Sequence, residues 1–242
     1  MNLLIDVGNT RLKWAYANDN KLTKTSVLFN KDICASLLTQ TWQTLSPKKV
    51  VVSCIEKTDL VSCITSVANE LWQNITLHYI KTAAEGFGII NGYANPPKLG
   101  VDRWLALVAA RAKIQDAVCV VDSGTAMTID LLNAQGIHQG GLICPGLMLM
   151  QTALNNTAHL PFVEYPCSST QTIIAKNTEN AIAYGTLYAN CSLIERVVAE
   201  QSSIIHLILT GGDAITLSQH LRCAFSIEPN LILEGLAIVS TQ

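Results

Sequence analysis

Apolar and polar positions change period several times along the first eighty residues, and each change marks an element. Asn2-Leu3-Leu4-Ile5-Asp6 is an apolar run closed by a carboxylate and then by Gly8-Asn9, which predicts a strand over 2–7, a tight turn and a second strand over 11–17. A third strand is expected over 22–28. Helical spacing then alternates with short apolar runs, predicting a helix near 31–41, a strand at 49–53, a helix near 57–72 and a strand near 75–80. Three strands followed by alternating helices and strands describe an α/β layer built on a mixed sheet.

The same pattern restarts in the second half, with strands predicted over 118–122, 125–131 and 136–143 and a Ser123-Gly124 turn between the first two. Helices are expected over 147–156, 178–199, 213–222 and 231–239, with a strand over 204–210. Leu4-Ile5-Asp6-Val7-Gly8-Asn9-Thr10 and Val120-Val121-Asp122-Ser123-Gly124-Thr125-Ala126 are both apolar strands that end in Asp, a turn Gly and a Thr. The chain therefore reads as a duplicated unit, an N-terminal domain over 1–115 and a C-terminal domain over 116–242.

One Asp-turn-Thr segment is also an ordinary hairpin; two in matching positions suggest a shared task. If the halves face each other, both carboxylates point into one cleft near a metal-nucleotide complex. The glycine permits close backbone approach to phosphate, and the Thr hydroxyl and N–H groups can bond its oxygens. Thr210-Gly211-Gly212-Asp213-Ala214 leads an apolar strand into a helix with Asp213 as candidate cap. That turn suits the adenosine or ribose of a nucleotide, and equally a plain crossover. No G-x-x-x-x-G-K-[ST] occurs and Gly8 lacks a G-x-G-x-x-G continuation, so P-loop and dinucleotide readings fall away. Phosphate handling is left to the hairpins and a cation. Lys13, two residues beyond Arg11, is the nearest basic side chain, either a phosphate contact or an exposed strand lysine.

Residues 86–103 are rich in Gly, Asn and Pro, long for a connector, and run into an apolar helix over 104–113. Asp102 immediately precedes that helix. It suits an N-cap, and it also suits a carboxylate that takes the proton of a substrate hydroxyl as the oxygen attacks the terminal phosphorus of ATP. Arg103 offers a planar guanidinium to a substrate carboxylate. Gly140-Gly141 and Pro145-Gly146 break a strand ahead of the next helix, either as a routine turn or to bring backbone against substrate. Thr178 reads as a helix cap, with a substrate contact as the other reading.

Composition narrows the partners. Charged residues make up 14% of the 242, against a usual value of about 25%, so a subunit interface would replace some of the missing surface charge. A net charge of -2 supplies no footprint for nucleic acid or an anionic membrane. Eight cysteines include no CxxC pair and several fall in apolar runs, which suits buried thiols of a reducing compartment. No apolar run reaches the roughly 20 residues that span a bilayer, and no basic cleavable leader opens the chain. A soluble, cytoplasmic protein is expected.

Taken together, Asp6-Val7-Gly8-Asn9-Thr10, Asn95-Pro96 with Leu99-Gly100-Val101-Asp102-Arg103, Asp122-Ser123-Gly124-Thr125-Ala126, Gly140-Gly141 through Pro145-Gly146, Asn177-Thr178 and Thr210-Gly211-Gly212-Asp213-Ala214 resemble the type III pantothenate kinase family across essentially the whole chain. The resemblance implies the duplicated ribonuclease-H-like fold of actin and the sugar kinases, a homodimer, and ATP-dependent phosphorylation of pantothenate at the entry to coenzyme A synthesis. It also implies roles. Asp6, Val7, Gly8, Asn9, Thr10, Arg11, Leu12 and Lys13 would line the ATP phosphates, Thr125 would contact ATP, and Asp102 would accept the proton. Tyr93, Gly100, Val101, Asp102, Arg103 and Thr178 would hold pantothenate. Asp122 would bind a monovalent cation, potassium or ammonium, and Mg2+ would accompany ATP. Ala175 and Tyr184 depart from the family's habitual glycine and small residue on the substrate side. A kinase of another polyol or sugar, and a catalytically silent nucleotide-binding regulator, are the alternatives.

Overall fold

The computed structural model describes residues 1–18, 21–54, 59–73, 75–165, 174–201 and 204–241. Three strands open the chain, β1 (Asn2–Val7), β2 (Arg11–Asn18) and β3 (Lys21–Phe29). They are followed by α1 (Ala35–Trp42), β4 (Lys49–Cys54), α2 (Asp59–Leu71) and β5 (Leu77–Tyr79). The sheet order is β3-β2-β1-β4-β5, antiparallel among the first three and parallel from β1 through β4 to β5. Burial explains that order. β1 is buried at five of its six positions and takes the centre, whereas β3 carries Lys21, Thr23, Lys24 and Thr25 exposed and makes a polar edge.

Next come the two-residue strands β6 (Glu85–Gly86) and β7 (Ile89–Ile90), a 3-10 turn at Pro96–Lys98, and α3 (Val101–Lys113). The second half supplies β8 (Val118–Ser123), β9 (Ala126–Leu132), β10 (His138–Pro145), α4 (Leu147–Ala158), α5 (Thr178–Ala199), β11 (His206–Thr210), α6 (Ala214–Ser218), β12 (Ser226–Ile227) and α7 (Leu231–Val239). Its sheet order, β10-β9-β8-β11-β12, repeats the first strand for strand and direction for direction. The fold is thus α/β with the ribonuclease-H-like layer built twice.

Two compact units result, Met1–Ala109 with Asn230–Gln242, and Ala110–Pro229. In the first, α1 and α2 cover one face of the sheet through a core of Leu3, Ile5, Leu12, Trp14, Leu38, Trp42 and Ile64. The opposite face, bearing Asn2, Leu4 and Asp6, receives α7, whose end is tied to the sheet by Asn2 Nδ2 donating to Ser240 Oγ at 3.3 Å. In the second unit Val121, Ile129 and Leu209 pack with Leu147, Leu187 and Ile194. Among the described residues no helix is long and apolar enough to cross a membrane.

Several boundaries differ from the pattern-based expectation. α3 begins at Val101 rather than at Trp104, because its first turn mixes polar and apolar residues and hides the period. α6 stops at Ser218 instead of running to 222. A 3-10 turn at Asn30–Asp32 and an extended Ile33 occupy the expected start of α1. β6, β7 and β12 hold two residues each, too few for any periodicity to reveal. Residues 57 and 58 of the second predicted helix, and Cys167, lie outside the described residues.

Candidate functional site

Strand register places the first carboxylate. Asp6 pairs with Lys13 on β2 and with Ser53 on β4, so the three side chains share one face at the end of the sheet. Asp6 is only 7% exposed, an unusual depth for an ionisable group. Val7 and Leu12 pair with each other on the opposite face and are packed in the core, which leaves only their main chain for a ligand. The Gly8 amide donates to the Arg11 carbonyl at 3.1 Å and closes the turn, leaving Asn9, Thr10 and Arg11 exposed at its tip. The Arg11 guanidinium lies 5.1 Å from the centre of the Phe29 ring.

Asn30, which sequence reasoning passed over, holds this turn from the end of β3. Its Nδ2 donates to the carbonyls of Gly8 at 2.8 Å and Asn9 at 3.0 Å, and its main-chain amide donates to the Thr10 carbonyl at 3.0 Å.

The second hairpin repeats the geometry with different fastenings. Asp122 pairs with Thr128 on β9 and with Thr210 on β11, and it is half-buried, while Thr125 is exposed at the tip. The Gly146 amide donates to the Thr125 carbonyl at 3.0 Å. A Cβ at Gly146 would run into the Gly124 carbonyl, so only glycine fits. Gly211 has φ +92°, and a Cβ there would strike both the Ser123 carbonyl and Asp122 Oδ1. The Asp213 amide donates to the Ser123 carbonyl at 3.0 Å. Structure thus brings the Gly-Gly turn directly onto the strand end that carries Asp122.

In the first unit, the loop after β7 is organised by Asn91, a second residue that sequence reasoning missed. Buried at 7% exposure, Asn91 donates from Nδ2 to the carbonyls of Ala83 at 3.1 Å and Pro96 at 3.2 Å. Its Oδ1 accepts from the Tyr93 amide at 3.0 Å. Tyr93 in turn accepts at its hydroxyl from Arg103 Nη1 at 2.6 Å, and the Arg103 guanidinium is buried. Only the Gly-, Asn- and Pro-rich composition of residues 86–103 hinted at this hub; for Asn30 no local signal exists.

Helix α3 corrects one expectation. The Gly100 carbonyl accepts from the Trp104 amide at 3.0 Å, so Gly100 stands at the cap and Asp102 lies inside the first turn. Asp102 Oδ1 accepts from the Arg103 amide at 2.8 Å and so satisfies a first-turn donor all the same. Thr178 is also not a cap: Asn177 takes that place, its Oδ1 accepting from the Asn180 amide at 2.8 Å, and Thr178 is an exposed first helical residue.

Tyr93, Asp102 and Arg103 are therefore gathered on the first unit beside the Asn91 loop, and Asp6 and Lys13 share a face of its sheet. Asp122, Thr125 and Thr178 belong to the second unit. Among the described residues no group of three or more His, Cys, Asp or Glu could hold a metal ion. Within the first unit, the single buried carboxylate of Asp6 at the root of the hairpin fits a magnesium ion carried by nucleotide phosphates and completed by water, the habitual state of that ion with nucleotides.

The family described as type III pantothenate kinase matches residues 2–200. The type III pantothenate kinase of Nitrosococcus oceani is 35% identical over 256 aligned residues, covering 99% of this chain and 94% of its own. The chain belongs to the type III pantothenate kinase family. Two solved structures set the kinase in its wider fold. A Campylobacter jejuni chain assigned to the Baf family of transcriptional activators superposes with TM-score 0.62 at 22% identity, over 99% of this chain and 98% of that one. The activator of 2-hydroxyisocaproyl-CoA dehydratase from Clostridium difficile, solved with bound ADPNP, gives TM-score 0.54 at 10% identity, over 98% and 93%. At such identities these two speak for the fold alone, that of the actin-like ATPases and sugar kinases.

Proposed function

We propose that Asp102 is the proton acceptor in the reaction of this family, the phosphorylation of pantothenate by ATP to 4'-phosphopantothenate, which opens coenzyme A synthesis. That ATP-dependent transfer is the activity of the chain, as a phosphotransferase with an alcohol as acceptor. The primary hydroxyl of pantothenate attacks the γ-phosphorus, its proton passes to the Asp102 carboxylate, and ADP leaves in line. One observation carries the assignment: the Asp102 carboxylate stands in the first turn of α3 beside the buried Arg103 and its partner Tyr93. Arg103 meets the carboxylate of pantothenate, with Tyr93, Gly100, Val101 and Thr178 completing that side.

The backbone of Asp6 through Lys13 and the hydroxyl of Thr125 hold ATP. Magnesium, when bound with ATP, neutralises charge on the phosphate oxygens. Asp122 takes a monovalent cation, potassium or ammonium, at the root of the second hairpin. A homodimer is supported by the exposed Leu142 and Ile143 on β10 and Met148 and Leu149 at the start of α4, apolar side chains that a second copy of the chain would cover. The chain works in the cytoplasm, where both substrates are met.

The test is turnover of Asp102→Asn in matched potassium and sodium buffers, with product mass as readout. Expected are retained substrate binding, kcat lower on the order of 100-fold or more, and a faster wild type in potassium. Wild-type turnover by the folded variant would remove Asp102 from the proton-accepting role, and equal rates in both salts would remove the potassium role.

A further inference from the structure

We propose that Asn30 is a positioning residue for ATP, one that aims the amides of the first hairpin toward the phosphates. The inference rests on the reading that residues 6–13 hold the phosphates, and it adds the side chain that sets the direction of their donors. Both partners of the Asn30 side chain are carbonyls, so its NH2 end must face them. In a trans peptide the N–H points opposite to the C=O of the same plane. Drawing the Gly8 carbonyl toward Asn30 therefore turns the Asn9 N–H to the far side of the loop. Drawing in the Asn9 carbonyl does the same to the Thr10 N–H. Two successive amides turned one way form a concave donor pair of the kind that receives phosphate oxygens.

The duplicated fold supplies an independent comparison. Asn30 directly follows the last residue of β3, and Gly146 directly follows the last residue of β10. Their main-chain amides make the same bond, to the Thr10 carbonyl in one unit and the Thr125 carbonyl in the other, both at 3.0 Å. At this equivalent point the second unit uses a glycine to press backbone against its hairpin. The first unit leaves room for a side chain and fills it with two donors. One structural position thus controls both hairpins, by contact in one copy and by hydrogen bonds in the other.

The experiment compares Asn30→Ala, Asn30→Asp and Asn30→Ser with Asp6→Asn and the wild type, by steady-state kinetics in both substrates and by thermal melting. Asn30→Asp keeps the shape and replaces the donor by an acceptor that faces two carbonyls, so it should be the most damaging, and Asn30→Ser guards against loss of the other two to misfolding. The expected result is a KM for ATP raised about tenfold, the worth of one to two lost neutral hydrogen bonds, with the KM for pantothenate unchanged. Affinity for ATP and ADP should fall while that for adenosine holds. Unchanged ATP kinetics in the folded Asn30 variants, with Asp6→Asn impaired, would overturn the role of Asn30 and leave the phosphate site standing. Equal rises in both KM values would show a merely structural role. If Asp6→Asn also leaves ATP kinetics intact, the hairpin is not the phosphate site and both readings fall.

Discussion

At the scale of single residues, two asparagines organise the loops that carry the chemistry. Asparagine suits this work because its short amide offers a donor and an acceptor while adding no charge to a partly buried place. Asn91 uses both ends, donating to two carbonyls and accepting from the Tyr93 amide. Replacing it with Ala would leave the Ala83 and Pro96 carbonyls without their donor. A buried orphan of that kind costs about 1–3 kcal/mol, which in a chain of this size lowers Tm by several degrees. Asn91→Ala should therefore melt about 5 °C lower and show a raised KM for pantothenate with the KM for ATP preserved, because Tyr93 loses its anchor while the first hairpin is untouched. Calorimetry and kinetics on the same sample read both effects, and a raised KM for ATP would contradict the division of labour.

At the scale of elements, the helix that ends the chain shows how close packing overrides local propensity. α7 buries Leu231, Leu233, Gly235, Leu236 and Ala237, far more than one amphipathic stripe, because it lies against the first sheet and against α3 at once. Gly235 makes the second contact possible, since a Cβ there would run into the Leu105 carbonyl. Gly→Ala inside a helix ordinarily stabilises by about 1 kcal/mol. Here the obstacle is backbone, which cannot swing aside as a side chain would, and overpacking typically costs about 1–3 kcal/mol or more. The second effect is the larger, so Gly235→Ala should lower stability in chemical denaturation. A more stable variant would mean that α7 shifts easily on α3.

At the scale of the whole molecule, thiol burial links the two faces of stability and pH. Burial pushes Cys119 and Cys191 up to about 12, with the nearby Asp130 and Glu195 carboxylates adding to the shift in turn. Because the folded chain holds these protons more tightly than the unfolded one, their contribution to stability is complete below the ordinary thiol value of 9.0 and is lost as pH climbs toward about 12. Thermal stability should accordingly fall between pH 9 and 12, and Cys119→Ala with Cys191→Ala should flatten part of that fall. Cys34 behaves oppositely: hydrogen bonds from the Ser36 hydroxyl and the Leu37 amide lower its thiol, and it is exposed. Mild alkylation should label Cys34 well before either buried thiol, and mass mapping reads the order.

What the sequence determined by itself was the local and the repeated. Short apolar runs and turn residues specify β1 and β2, β8 and β9, and the echo of Asp6-Val7-Gly8-Asn9-Thr10 in Asp122-Ser123-Gly124-Thr125 declares the duplication, because strand patterning and turn chemistry act over a few neighbouring residues. The Asp102-Arg103 pair was legible for the same reason, as charged residues at the mouth of an apolar helix. Tertiary structure alone decided what depends on residues far apart in the chain. It placed Asp6 opposite Lys13 and Ser53 by register, brought Gly211 onto the strand end of Asp122, and laid α7 on the sheet that opens the chain. It moved the cap of α3 to Gly100, since the hydrogen bond that defines a helix start is made by a carbonyl and not by side-chain type. It also gave Asn30 and Asn91 their tasks, for the carbonyls they hold come within reach of these side chains only in the folded chain.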